Sequence, residues 1–79
     1  MNLDQPKNMG TRLRRLRVIK ELTQENIAAI LNTSQTVYGR YERDERVPST
    51  NYLRTLCQFY DVSADYLLGL IDEPLSYKR

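Results

Sequence analysis

T-Q-E-N-I-A-A-I-L-N-T-S-Q-T-V-Y-G-R-Y-E, running from Thr23 to Glu42, is the stretch on which the reading of this chain turns. Thr23 supplies a hydroxyl that accepts a free backbone N–H at a helix start, and Glu25 puts negative charge in the positive first turn. Ile27, Ala28 and Leu31 recur on one face. Asn32 ends this helix, because asparagine tolerates the left-handed conformation that helix C-termini often adopt, and Thr33-Ser34 offers a second hydroxyl cap. The spacing predicts helices over about 24–31 and about 35–42. On the second of them Val37, Tyr38 and Tyr41 face inward, while Gln35, Thr36, Gly39 and Arg40 face out. That outward set holds no acid and no large apolar group. Tyr38 and Tyr41, at helical spacing beside Val37, are read as core with their hydroxyls at the surface, not as stacking platforms for single strands.

Two helices so close in sequence cannot lie antiparallel. They cross steeply and leave the second protruding with its N-terminal half exposed, the geometry of a helix-turn-helix. The Thr23-Gln24 opening, the alanine in the middle of the first helix, the Ser34-Gln35 opening and the Tyr41-Glu42 ending closely resemble the DNA-binding domain of the phage repressor and Cro family, also called the xenobiotic-response-element family. The resemblance runs from about Gly10 to Gly69 and ends in D-V-S-A-D-Y-L-L-G, similar to the family's last helix. It implies an all-α fold, a compact bundle of five short helices like the DNA-binding domain of lambda repressor. It also implies a transcription regulator, such as a repressor, that binds double-stranded DNA sequence-specifically. Such a protein would act as a homodimer on an inverted-repeat operator with half-sites ~34 Å apart.

Length and composition agree with a small binding domain. A chain of 79 residues buries only ~60% of its unfolded surface, so its core must be compact. Cys57 is alone and histidine is absent, so neither a disulfide framework nor a Cys/His metal site can be built, and no cofactor or small-molecule ligand is expected. Without histidine, and with carboxylates scattered over exposed helices, no nucleophile–base pair is visible and no enzyme is predicted. The apolar runs are a few residues long, with no basic-then-apolar leader, so no signal peptide or membrane span is expected and a cytoplasmic setting fits. The net charge of +2 is modest, but its distribution is not even. Lys7, Arg12, Arg14, Arg15, Arg17 and Lys20 occur with no acid among them, whereas from Val47 onward Arg54, Lys78 and Arg79 face Asp61, Asp65, Asp72 and Glu73. The positive field therefore belongs to the half that carries the helix-turn-helix. The arginines read equally well as the solvated face of helix 1.

Residues 1–8, few of them apolar and including Pro6, read as a flexible lead, 9–70 as the DNA-binding domain and 71–79 as a tail. Helix 1 should run from near Gly10-Thr11 to about Lys20, with Met9, Leu13, Leu16 and Lys20 sharing a stripe and Leu22 packing beneath the turn that follows. The family usually has glycine where Glu21 stands, so this helix should end by another device. Pro48 and Ser49 close a polar loop and cap a helix from Thr50, on which Leu53, Leu56, Cys57 and Tyr60 share a face. Cys57 reads as a small core filler. Val62 staples the next turn and Ser63 caps the last helix, where Tyr66, Leu67 and Leu70 close the bottom of the core.

DNA binding needs phosphate contacts for affinity and base-edge contacts for preference. Gln24, in the first turn of helix 2 among free N–H groups, suits a phosphate oxygen. The family uses its matching glutamine that way. Gln35, Thr36 and Arg40 sit at i, i+1 and i+5 along one flank, over roughly 7.5 Å of axis, enough to address two or three base pairs. A glutamine amide bonds adenine N6 and N7, an arginine guanine O6 and N7, and a threonine methyl meets the thymine methyl. Alone, these three would make an ordinary polar face; the resemblance favours readout. Ser34 caps the helix and lies near the DNA backbone, and Arg43 and Arg46 are plausible phosphate clamps diluted by Asp44 and Glu45. In the family an arginine at the end of helix 1 and a glutamate at the end of helix 3 form a partly buried pair. Arg17 and Glu42 match them, which makes Arg17 structural first and phosphate-contacting second. Gly39 marks either a close approach to DNA or an unconstrained position. A protein-interaction module such as an antitoxin or adaptor, using the same fold, is the alternative. Leu70, Ile71, Leu75 and Tyr77 are apolar candidates for a dimer contact.

Overall fold

The computed structural model describes residues 8–78. Within them the chain forms five helices in order: α1 (Met9–Ile19), α2 (Gln24–Leu31), α3 (Gln35–Glu42), α4 (Thr50–Tyr60) and α5 (Ala64–Leu67). No strand occurs among the described residues. The all-α bundle expected from the sequence is the fold observed, and α2 and α3 have the expected bounds. Of the lead over residues 1–8, only Asn8 lies within the described residues.

Four helices start in the same way. Thr23, Ser34, Ser49 and Ser63 precede α2 to α5, and each side-chain oxygen accepts the backbone N–H of the residue three further on. At α2 the cap is reciprocal, because Asn26 Oδ1 accepts the Thr23 N–H at 2.9 Å. Such caps are each worth about 1 kcal/mol. The start of α1 is held differently. Asn8 gives no side-chain cap, and the Gly10 N–H donates instead to Asp44 Oδ1 at 2.9 Å, which ties the first turn to the loop after α3.

The stops share one device as well. Glu21, Asn32, Asp44, Asp61 and Gly69 follow the five helices, all with φ between 54° and 82°. At α1 the Glu21 N–H donates to Val18 O at 2.9 Å and the Leu22 N–H to Arg17 O at 3.2 Å, the paired closure of a left-handed C-terminal cap. The expectation that Glu21 would force another kind of stop is therefore corrected. Glutamate takes the left-handed conformation that glycine would occupy freely, at a cost of roughly 1 kcal/mol. α1 also ends at Ile19, and Lys20, placed on the inner stripe from sequence, is exposed. Its ammonium lies 5.8 Å from the centre of the Phe59 ring.

Leu13, Ile27, Tyr38, Leu56 and Leu67 are fully buried, with Ala28, Leu31, Tyr41, Cys57, Tyr60, Val62 and Tyr66 around them. Cys57 is the core filler anticipated, and burial pushes its thiol pKa up. Leu70 does not close the core: it is 71% exposed, and Ile71 packs inward instead. The Tyr38 hydroxyl does not reach the surface either. Tyr38 and Tyr60 hydroxyls are buried beside Glu42 without a hydrogen bond of normal geometry. Burial pushes the Tyr60 pKa up to about 12 and that of Tyr38 higher still.

One core residue is charged. Arg12, grouped with the surface field from sequence, has no exposure at all. Its guanidinium donates to the carbonyls of Tyr66 and Ile71, the latter at 2.7 Å, approaches Asp72 Oδ1 at 3.2 Å and sits 4.3 Å from the centre of the Tyr66 ring. These bonds supply partners for a buried cation, which would otherwise be costly. They also dock the segment after α5 on α1, and the Ser63 N–H to Leu75 O bond of 2.7 Å continues the attachment. Gly10 lets α1 press on the end of α3, since a Cβ there would fall 2.4 Å from Glu42 O.

Candidate nucleic-acid interface

The centre of the site is Glu42, the last residue of α3. Its side chain is only 2% exposed and faces Arg17 near the end of α1, with Arg17 Nε donating to one carboxylate oxygen at 2.6 Å and Nη2 to the other at 2.9 Å. Arg17 Nη1 donates in turn to Leu22 O at 2.8 Å, so the same guanidinium fastens the turn into α2. Burial alone would raise the Glu42 pKa, but hydrogen bonds from Arg17 and Gln24 outweigh it and hold the pKa below the usual carboxylate value. The Arg17–Glu42 pair read from the sequence is thus present and bidentate, the strong form of such a contact.

Gln24 extends the network outward. Its Nε2 donates to Glu42 Oε1 at 3.1 Å, and its Oε1 accepts from Gln35 Nε2 at 2.7 Å. A chain of bonds therefore runs from Leu22 O through Arg17, Glu42 and Gln24 to the first residue of α3. Gln35 has one amide hydrogen committed inward, leaving its other N–H and its carbonyl oxygen for a ligand. Sequence reasoning placed Gln24 and Gln35 in separate roles and missed that they touch. The signal for it was the stripe Gln35, Gly39, Glu42 at i, i+4, i+7, which is neither apolar nor freely outward.

The outward face is as expected for Gln35, Thr36 and Arg40, all exposed; Gly39 is not part of it, being buried beneath Gln24 and Arg43. Ser34 is exposed and accepts the Val37 N–H at 3.1 Å. Depressions flank α3 on both sides. One, about 430 Å³, is lined by Arg17, Thr23, Gln24, Glu25 and Gln35 at the start of α2. The other, about 370 Å³, is lined by Val37, Arg40, Tyr41, Arg46, Val47 and Ser49. Both bring positive or N–H-rich groups against the exposed helix, the first using the positive end of α2. Arg43 is exposed and paired with Glu45, so its charge is shared, whereas Asp44 is turned toward Gly10. No helix among the described residues is long and apolar enough to cross a membrane.

Comparison with known proteins gives the same assignment. A helix-turn-helix family of the Cro/C1 type matches residues 13–67. The chain is 43% identical over 63 residues to the uncharacterized HTH-type transcriptional regulator YobD of Bacillus subtilis, covering 80% of this chain and 56% of that protein. It is 42% identical over 62 residues to the HTH-type transcriptional regulator ImmR of the same organism, covering 78% and 49%. It thus spans about half the length of these two relatives. Among solved structures, the P22 c2 repressor in complex with synthetic operator 9T superposes with a TM-score of 0.74 and 28% identity, over 80% of this chain and 96% of that one. By fold, by the order of its motifs and by these likenesses, the chain belongs to the Cro/C1-type helix-turn-helix family.

Proposed function

We propose that this chain is a cytoplasmic transcription regulator that binds double-stranded DNA sequence-specifically by placing α3 in the major groove. The observation that carries this reading is the exposed row Gln35, Thr36 and Arg40, backed by a bonded chain that presets the Gln35 amide. A preset amide loses less freedom on binding than a loose one. Gln35, Thr36 and Arg40 read base edges in this proposal, while Gln24, Ser34, Arg17, Arg43 and Arg46 meet phosphates. The bound operator of the P22 c2 repressor supports the reading by analogy. Binding is as a homodimer on an inverted repeat, with exposed Leu70, Leu75 and Tyr77 as candidates for the contact between copies.

The test is selection from random DNA at moderate salt, followed by affinity measurements. Gln35→Ala should cost ~1–3 kcal/mol on the selected site and relax preference at one base pair. An equal loss on every sequence would remove its base-reading role. Affinity should fall steeply with salt, and Arg46→Ala should lower that slope by about one. A salt-insensitive complex with a protein, with no DNA affinity, would favour the adaptor reading.

A further inference from the structure

Gly39 sits in the interior of an eight-residue helix, where glycine is less favourable than alanine. Its backbone does not demand glycine, because the positive-φ glycine of the described residues is Gly69. Space does. A Cβ at position 39 would lie 3.2 Å from Gln24 Oε1 and 3.1 Å from Arg43 Nη1, both closer than comfortable contact. The two neighbours differ in how they can respond. The Arg43 tip is at the surface, bonded to Glu45 two residues on, and can swing with it. The Gln24 amide is held at both ends, by Glu42 at 3.1 Å and Gln35 at 2.7 Å. Moving its oxygen a few tenths of an ångström stretches one of those bonds.

We propose that Gly39 is a positioning residue for base recognition: by having no side chain, it leaves the slot in which the Gln24 amide lies and so fixes the amide of Gln35. This rests on the reading of Gln35 as a base contact and deepens it. With one N–H given to Gln24, Gln35 keeps one N–H and one oxygen, the pair that adenine N7 and N6 require. A Cβ at position 39 releases that arrangement while leaving Thr36 and Arg40, and the phosphate contacts of Ser34, Arg17 and Arg46, in place.

Gly39→Ala separates this role from plain folding, because alanine favours the helix. The variant should melt at or above the wild-type temperature, and any loss on non-specific DNA, where the Gln24 and Arg43 phosphate contacts are felt, should be smaller than its loss on the selected site. Its discrimination at the base pair relaxed by Gln35→Ala should fall about five- to tenfold, part of what a bidentate contact provides. The side-chain amide resonance of Gln35 should move toward its position in Gln24→Ala, and Gly39→Ala should add nothing in that background. A Gln35 resonance unchanged from wild type, full retained discrimination, or a further loss on top of Gln24→Ala would each overturn the proposal. A wild-type protein indifferent to that base pair would instead overturn Gln35 as a reader, and the resonance would still decide whether Gly39 sets its amide.

Discussion

Removing Arg17 should unfold much of the margin of this domain and reverse its response to acid. In Arg17→Ala the Glu42 carboxylate, 2% exposed, keeps only Gln24 Nε2 at 3.1 Å. Breaking a buried pair from one side costs ~3–5 kcal/mol; the lower figure applies here, because Arg17 itself is 13% exposed and water can partly replace it. In a domain of this size each kcal/mol moves Tm by about 4–8 °C, so ~3 kcal/mol predicts a drop on the order of 12–24 °C at pH 7. The sign with pH follows from the titration. In the wild type the folded Glu42 pKa is depressed, so its contribution is present above the unfolded value and is lost as pH falls through the folded one. Without Arg17 the burial effect wins and the folded pKa rises above the unfolded value. The variant should then gain stability between pH 7 and 5, by up to about 2.7 kcal/mol at about 1.36 kcal/mol per unit. The window is clean because the chain has no histidine. Thermal unfolding followed by circular dichroism at both pH values measures this. A Tm within a few degrees of wild type at pH 7, or a variant that loses further stability on going to pH 5, would refute the buried-charge argument.

Three further outcomes are expected. Glu21→Gly relieves a left-handed residue at φ 57° and should raise stability by ~0.5–1 kcal/mol after the added entropy of the unfolded chain, read as a higher Tm. Gly10→Ala meets backbone atoms of Tyr41 and Glu42 at 2.4–2.7 Å and should cost ~1–3 kcal/mol, measured by urea unfolding. Arg12→Met leaves the Tyr66 and Ile71 carbonyls without their buried donor; a loss of ~2–4 kcal/mol with faster exchange of the Ser63 amide is expected.

Much of the fold was legible because its signals are local. Thr23, Ser34, Ser49 and Ser63 mark helix starts whatever lies elsewhere, and Ile27, Leu31, Tyr38, Leu56 and Leu67 follow helical spacing into the core. What escaped were contacts between residues distant in sequence. Arg12 looks like any other arginine of a basic run until Tyr66 and Ile71, 54 and 59 residues away, offer it carbonyls. Glu21 was judged against glycine as if the residue type fixed the stop, when the closure bonds of α1 are strong enough to impose the conformation. Gly39 could not be assigned because its reason is the path of a side chain on another helix. The Arg17–Glu42 pair was found only through family resemblance, since spacing alone does not bring them together.

The two stripes of α3 also divide what substitution can reach. Gln35 and Glu42 are bonded into the Gln24 network and Gly39 leaves room for it, so exchanging any of the three shifts that network along with any contact made outside it. Thr36 and Arg40 stand one turn apart on the open side, and neither side chain hydrogen-bonds within the described residues. In the proposed complex those two positions are an interchangeable cassette on a fixed mount, where preferences would be retargeted without rebuilding the domain beneath them.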